Sequence, residues 1–192
     1  MTIVYRLRIV VMARKNGRWL VKDTRTVYQN EFFTLSVDEV VNPQQQDDEY
    51  ATIRYKDSVA VLVLDENDQL ILTKQFRYAL GRDNIEAAAG TVENESPLDA
   101  ARREIKEELG IIAEDWRELG AFDANPSMTN DRKNLFLARQ LTFTEPDREP
   151  TEDIEPYRIS FSDALEKIRT GRITHDVTCL LILKAAEIIN YE

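Results

Sequence analysis

Short runs of β-branched and aromatic residues separated by polar breaks dominate the first quarter of the chain. Residues 3–11, 18–28 and 31–41 are rich in Val, Tyr, Phe, Thr and Leu and are interrupted at Asn16-Gly17 and Gln29-Asn30, a pattern that predicts a small antiparallel sheet. The polar run of residues 43–49 closes it, so a domain boundary is expected near residue 50, with residues 1–50 as an N-terminal β domain and 51–192 as a second domain. A hairpin follows, built from Ser58–Leu64, a turn at Asp65-Glu66-Asn67-Asp68, and Gln69–Tyr78. The uninterrupted apolar run Val59–Leu64 places hydrophobic side chains on both faces of its strand, which predicts a central position in a sheet. After a Gly-Arg-Asp loop, residues 85–90 form a short segment. Farther on, 118–125 and 132–142 read as strands, 145–156 as an acidic loop punctuated by proline, and 162–170 and 176–190 as helices.

One further helix is specified almost residue by residue. Ser96 is suited to cap its N-terminus, Pro97 to the first helical position, Asp99 to the positive end of the dipole, and Gly110 to the stop, giving a span of 97–109. At about 100° per residue, Leu98, Ala101, Ile105 and Leu109 gather into one arc and Glu104, Glu107 and Glu108 into the next. One face is core and its neighbour is acidic, while Lys106 reads as solvated surface.

The chain has 192 residues, 43% hydrophobic and 31% charged, which is the composition of an ordinary globular protein. Its formal charge of -10 opposes a phosphate backbone, so no nucleic-acid partner is expected. The single cysteine, Cys179, cannot form an internal disulfide, and a cytoplasmic location is the default. The longest apolar run, Val59–Leu64, falls far short of the roughly 20 residues of a membrane helix, and no signal-peptide core is seen near the N-terminus, so no membrane association is expected.

Several catalytic strategies are disfavoured in turn. The lone histidine, His175, and the absence of a G-x-S-x-G elbow argue against triad chemistry. His175 and Cys179 stand four apart, but zinc requires three or four such ligands, and the ordinary reading is a residue near a helix start and a small core side chain. The six glycines match neither dinucleotide-binding nor P-loop spacing. What the chain has in excess is carboxylate, a hard oxygen ligand suited to Mg²⁺ or Mn²⁺. Glu104 against Glu108 at i,i+4 repels, so a neutralising cation is expected at that stripe.

The segment Gly90-Thr-Val-Glu-Asn-Glu95, seven residues, then Arg103-Glu104-Ile105-Lys106-Glu107-Glu108-Leu109-Gly110-Ile111 resembles the signature of the Nudix hydrolases, G-x5-E-x7-R-E-U-x-E-E-x-G-U with U aliphatic. The match departs at one place: the first glycine should fall at Ala89, so the spacer before Glu95 is one residue short and a tighter loop is expected. Leu70-Ile-Leu-Thr-Lys-Gln-Phe-Arg77-Tyr followed by Glu86-Ala-Ala-Ala-Gly90 is similar to the strand pair and E-L-P-A-G element of the ADP-ribose pyrophosphatase subgroup. Val27–Phe33 is similar to that subgroup's N-terminal sheet, Thr151-Glu152-Asp153-Ile154 to its late acidic loop, and Gly171-Arg-Ile-Thr-His-Asp-Val-Thr to its G-x-I-x-D turn. Pro126–Arg132 occupies the place of a substrate loop read S-P-G-x-x-x-E-R, without the Pro-Gly and with Asp131 for Glu.

The resemblance implies an α/β fold, an α/β/α sandwich with a mixed sheet preceded by a small antiparallel β domain that packs across a homodimer and completes the nucleotide pocket. It implies metal ligation by Glu104 and Glu108, with Glu107 on a second ion or its waters and the Ala89 carbonyl as a further ligand. Arg103 either touches substrate or orients Glu95 or Glu107. Among the six acids of 145–155, Glu152 is the expected general base and Glu149 the second choice. Arg77 is expected on a phosphate, Glu86 on a sugar or base edge, Tyr28 and Phe32 on adenine, and Asp131 in the substrate loop. The implied activity is metal-dependent hydrolysis of a nucleoside diphosphate linked to X, with ADP-ribose giving AMP and ribose 5-phosphate. GDP-mannose or another nucleotide sugar is the alternative substrate, and a non-catalytic nucleotide sensor the alternative role.

Overall fold

In the computed structural model, residues 13–148 and 153–189 are described. They divide into two compact units, one reaching to Tyr55 and including Asn125–Asn130, the other running over Lys56–Ala124 and from Asp131 onward.

The first unit is an antiparallel sheet of β1 (Arg14–Asn16), β2 (Trp19–Gln29), β3 (Phe33–Val41) and β4 (Asp47–Tyr55), in that order. The strand expected at 3–11 lies outside the described residues. The polar run 43–49 is divided by its local chemistry. The Asn42 side-chain carbonyl accepts the N–H groups of Gln44 and Gln46, both at 3.0 Å, and closes a turn. Asp47 then begins β4, which stays in register with β3 from Val41↔Asp47 to Phe33↔Tyr55. Backbone pairing outweighs the polarity of side chains that point to water. Asn125–Asn130 lies along β4: Ile53 N–H donates to Met128 O at 2.9 Å, and the Asn130 amide meets both Tyr55 N–H (2.8 Å) and Tyr55 O (3.1 Å).

The second unit holds β5 (Ser58–Leu64), β6 (Gln69–Arg77), β7 (Arg82–Glu86), β8 (Ala88–Thr91), β9 (Ile111–Asp123), β10 (Arg132–Phe143) and β11 (Ile154–Ser160). Their order is β11-β6-β5-β10-β9, with β7 on β6 and β8 on β5; β10 runs parallel to β5 and every other pair is antiparallel. The helices are α1 (Pro97–Leu109), α2 (Phe161–Arg169) and α3 (Asp176–Ile189). Strand β5 shows why the sheet is covered on both sides. Val59, Val61 and Val63 join a core with Ala101, Ile105 and Leu109 of α1, whereas Ala60, Leu62 and Leu64 join one with Ala164 of α2 and Leu181, Ile182 and Ala185 of α3. The result is an α/β/α sandwich, as expected.

Two strands occupy stretches not read as strand from the sequence. β9 begins at Ile111 rather than near 118, and β11 occupies the end of the stretch read as an acidic loop. Pro156 is admitted because β11 is the terminal strand of the sheet order, paired only with β6, where a missing N–H can face away from the ladder. No helix among the described residues is long and apolar enough to cross a membrane.

Candidate active site

The caps read from the sequence set the length of α1 and hence which carboxylates it presents. Ser96 Oγ accepts Asp99 N–H at 3.2 Å, and Gly110, at φ +64°, returns its N–H to the last turn. Between these ends, Glu104 and Glu108 are 9% and 7% exposed, one turn apart, while Glu107 is half-buried and Lys106 exposed. Glu104 lies against β8. A Cβ built on Gly90 would stand 1.8 Å from Glu104 Oε1 and 1.9 Å from its Cδ. Gly90 has no positive φ, so glycine is required there for room and not for backbone freedom.

Arg103 gathers the acids of this region. Its Nε and one terminal nitrogen donate to Glu95 Oε1 at 3.0 and 2.8 Å; the other terminal nitrogen donates to Glu104 Oε1 at 2.7 Å and Glu107 Oε2 at 3.0 Å. A further bond of 3.0 Å reaches Thr91 O. Burial opposes the guanidinium's charge, but the bonds from Glu95, Glu104 and Glu107 outweigh it and hold the pKa above the usual arginine range. The expected orienting of Glu95 and Glu107 is therefore a single arrangement that also takes in Glu104. It also accounts for the short spacer. With Val92 N–H on Asp57 O at 2.8 Å and Thr91 O on Arg103, the tightened loop still leaves Gly90 beneath Glu104.

Hard divalent cations favour carboxylate and carbonyl oxygens, and those are the donors α1 and β8 offer. Among the described residues no three acidic, His or Cys side chains are drawn together as a finished ligand set. Arg103 supplies the countercharge instead. The donor chemistry and the close seat of Glu104 on Gly90 fit such an ion, which Glu104 and Glu108 would hold, with Glu107 beside them and Ala89 in β8 next to Gly90.

A second polar group sits on β6, β7 and the start of α3. Arg77 grips Glu86 bidentately, Nε to Oε1 at 2.8 Å and a terminal nitrogen to Oε2 at 2.7 Å, and Asn84 adds a bond of 3.1 Å to Oε1. Glu86 is 4% exposed, and both of its carboxylate oxygens are taken up by Arg77, one of them by Asn84 as well. Burial would raise the Glu86 pKa, but the Arg77 bonds, the nearby His175 and the Asn84 bond bring it below the usual carboxylate value.

The remaining expected residues are placed as follows. Asp131 is paired with Lys133 Nζ at 3.0 Å, and Lys133 also reaches Ser58 Oγ at 3.3 Å. Tyr28 and Phe32 belong to the first unit and are 53% and 67% exposed, Tyr28 lying 5.6 Å from the Phe33 ring. Glu152 and Glu149 lie outside the described residues. The start of their loop is fastened to the end of α1: Thr144 N–H and Oγ donate to Gly110 O, Asp147 N–H to Glu107 O at 3.0 Å, and Arg148 Nε to Glu108 O at 2.7 Å. No spacing signal in the sequence marks this attachment, because it joins residues 34 to 40 positions apart.

The NUDIX domain pattern matches residues 54–176, well over half of the chain. This chain belongs to the NUDIX family. It is a Nudix hydrolase, and hydrolases of the family use divalent metal ions. It is 29% identical over 150 residues to a protein named ADP-ribose pyrophosphatase from Bacillus subtilis, covering 77% of this chain and 81% of that one. It is 31% identical over 125 residues to a GDP-mannose pyrophosphatase from Escherichia coli O1:K1, covering 59% and 64%. A solved structure described as an ADP compounds hydrolase superposes with a TM-score of 0.80 over 93% of this chain and 97% of the other, at 19% identity, and establishes the shared fold.

The Arg77–Glu86 pair gives this Nudix hydrolase an acid-side stability term of known sign. A carboxylate with a lowered folded-state pKa contributes stability above its unfolded value that is lost as pH falls through the folded one. Glu86→Gln is therefore expected to melt below the wild type at neutral pH, with the gap closing as pH falls below the ordinary glutamate value and through the lowered one. Thermal melts across that range check it; a gap that ignores pH would mean the pair carries no linkage.

Proposed function

We propose that this chain hydrolyses the pyrophosphate of a nucleoside diphosphate linked to X, with ADP-ribose as substrate and AMP and ribose 5-phosphate as products. The observation that carries the reading is the seating of Glu104 against Gly90, one turn from the equally buried Glu108 and bonded to Arg103. Such an arrangement concentrates hard oxygen donors beside a fixed cation, which suits a polyanionic substrate and gives no nucleophile of its own. Glu104 and Glu108 would hold Mg²⁺, or Mn²⁺ in its place, with Glu107 and the Ala89 carbonyl completing the set. What the ion supplies there is charge neutralisation on the two phosphates and a more acidic water.

This chain's residues do the rest. Arg103 keeps the carboxylates in place, Arg77, aimed by Glu86, meets a phosphate bidentately, and Asp131 faces the X group. Glu152 takes the proton of the water as its oxygen attacks phosphorus and the anhydride P–O bond breaks. Tyr28 and Phe32 stack on the base. Their exposure, with that of Val27, also supports association of the first unit with a second copy of the chain, as a homodimer in the cytosol.

A second reading rests on the E. coli GDP-mannose pyrophosphatase relative. Release of AMP from ADP-ribose with Mg²⁺, run beside release of GMP from GDP-mannose, separates the two. Turnover of ADP-ribose is the expected result. Turnover of GDP-mannose alone would keep the chemistry and change the substrate, and binding of ADP-ribose without cleavage of either compound under Mg²⁺ or Mn²⁺ would replace the enzyme reading with that of a sensor.

A further inference from the structure

The chain changes sheet partner at Ala87. Glu86 ends β7 opposite Thr73 of β6, whereas Ala88 begins β8 opposite Val61 of β5. Ala87, between them and 2% exposed, has an N–H with no ladder partner, and the hydroxyl of Thr178 accepts it at 2.8 Å. Thr178 is fully buried on α3, and the same hydroxyl oxygen stands 2.8 Å from His175 Nδ1. A hydroxyl has one proton to give. The oxygen has a second lone pair as well, so having accepted from Ala87 it meets the imidazole as donor or as acceptor according to the ring tautomer. The ring also lies 3.7 Å from Glu86 Oε2, so His175 borders the Glu86–Ala87 link on both its side-chain and its backbone sides.

We propose that His175 and Thr178 are positioning residues for the hydrolysis: the imidazole, bonded to the Thr178 hydroxyl that holds Ala87 N–H, fixes the strand switch at Ala87 and thereby the seat of Gly90 and Ala89 against the carboxylates of α1. The proposal rests on the metal role given above to Glu104 and Glu108. Burial favours the neutral ring; Glu86 and Asp176 pull toward protonation, and Arg77 and Lys133 oppose it. The net direction is downward from the ordinary histidine value. Two residues separate Ala87 from Gly90, and among the described residues β8 has only β5 as a strand partner, so an unsatisfied N–H at the switch would be relieved by movement of the short strand itself.

His175 is the only histidine in the chain, so its ring nitrogens can be assigned without ambiguity by ¹H–¹⁵N NMR of the whole protein. The expected result is a ring signal that shifts in Thr178→Val, whose methyl cannot bond Nδ1, and is kept in Thr178→Ser. A ring signal indifferent to Thr178→Val would overturn the proposal. Binding of Mn²⁺ alone, followed by EPR, is the second readout. His175→Leu and Thr178→Val are each expected to weaken it about tenfold, whereas His175→Asn, whose amide can stand where Nδ1 does, and Thr178→Ser stay within about threefold of wild type. If His175→Leu folds and binds Mn²⁺ as the wild type does, or His175→Asn loses as much as His175→Leu, the positioning role is wrong while the metal site stands. A wild type with no affinity for Mn²⁺ would instead sink the metal reading, and the positioning role that rests on it, leaving the His175–Thr178 bond as a separate result.

Discussion

Glu108→Gln is expected to lower turnover by about 10³-fold, the equivalent of several kcal/mol of lost charge stabilisation, while leaving the melting temperature at or above that of the wild type. Both halves follow from the geometry. Glu104 and Glu108 are nearly buried one turn apart on α1, where two like charges at i,i+4 destabilise the helix, and an amide of the same shape removes one of them. The same amide is a poor ligand for a hard divalent ion. Steady-state rates with Mg²⁺ and a thermal melt on one preparation measure the two effects together. A folded variant that keeps its rate within about tenfold would remove Glu108 from the metal site.

Gly90→Ala is expected to cut turnover by at least about 100-fold with little change in stability, because the atoms in the way are the end of the Glu104 side chain, which can swing aside. At an ordinary φ, exchanging glycine for alanine normally stabilises by about 0.4–1 kcal/mol through the unfolded chain. Here the new methyl would stand 1.8 Å from Glu104 Oε1, a distance no side-chain motion of alanine can relieve. Glu104 then leaves its seat, and with it Arg103 loses one of its three carboxylates. Activity and a denaturant melt decide the matter. An active alanine variant would show that Glu104 has no fixed position at this strand.

Features specified by neighbours in sequence were legible before any coordinates. Ser96, Pro97 and Gly110 delimit α1 because capping is local, and Val59–Leu64 announces a central strand because nothing polar interrupts it. Strands β4 and β11 were hidden for the opposite reason. Each is an outer strand, rich in charged residues or carrying Pro156, and held by a backbone ladder that side-chain patterns do not report. The acidic stripe of α1 was likewise visible from helical geometry. Its organisation was not, because Arg103 meets Glu95 across the loop of residues 91–96, whose path depends on the bonds of Val92 N–H to Asp57 O and of Arg103 to Thr91 O. Arg77 and Glu86 are nine apart on antiparallel strands, and only the turn at Tyr78–Leu80 sets the register that lets them meet. His175, read as a residue near a helix start, bonds Thr178 three residues on and lies 3.7 Å from Glu86, a neighbour 89 positions earlier that no local pattern announces.

The five bonds of Arg103 bear on how this protein folds. Many small metal-binding domains cannot fold until the ion arrives, since the ion is their answer to crowded ligands. Here a permanently charged side chain of α1 holds Glu104 and Glu107 of the same helix and Glu95 of the loop before it. The acids are balanced from within the chain, so stripping divalent ions with a chelator is expected to leave its melting temperature unchanged.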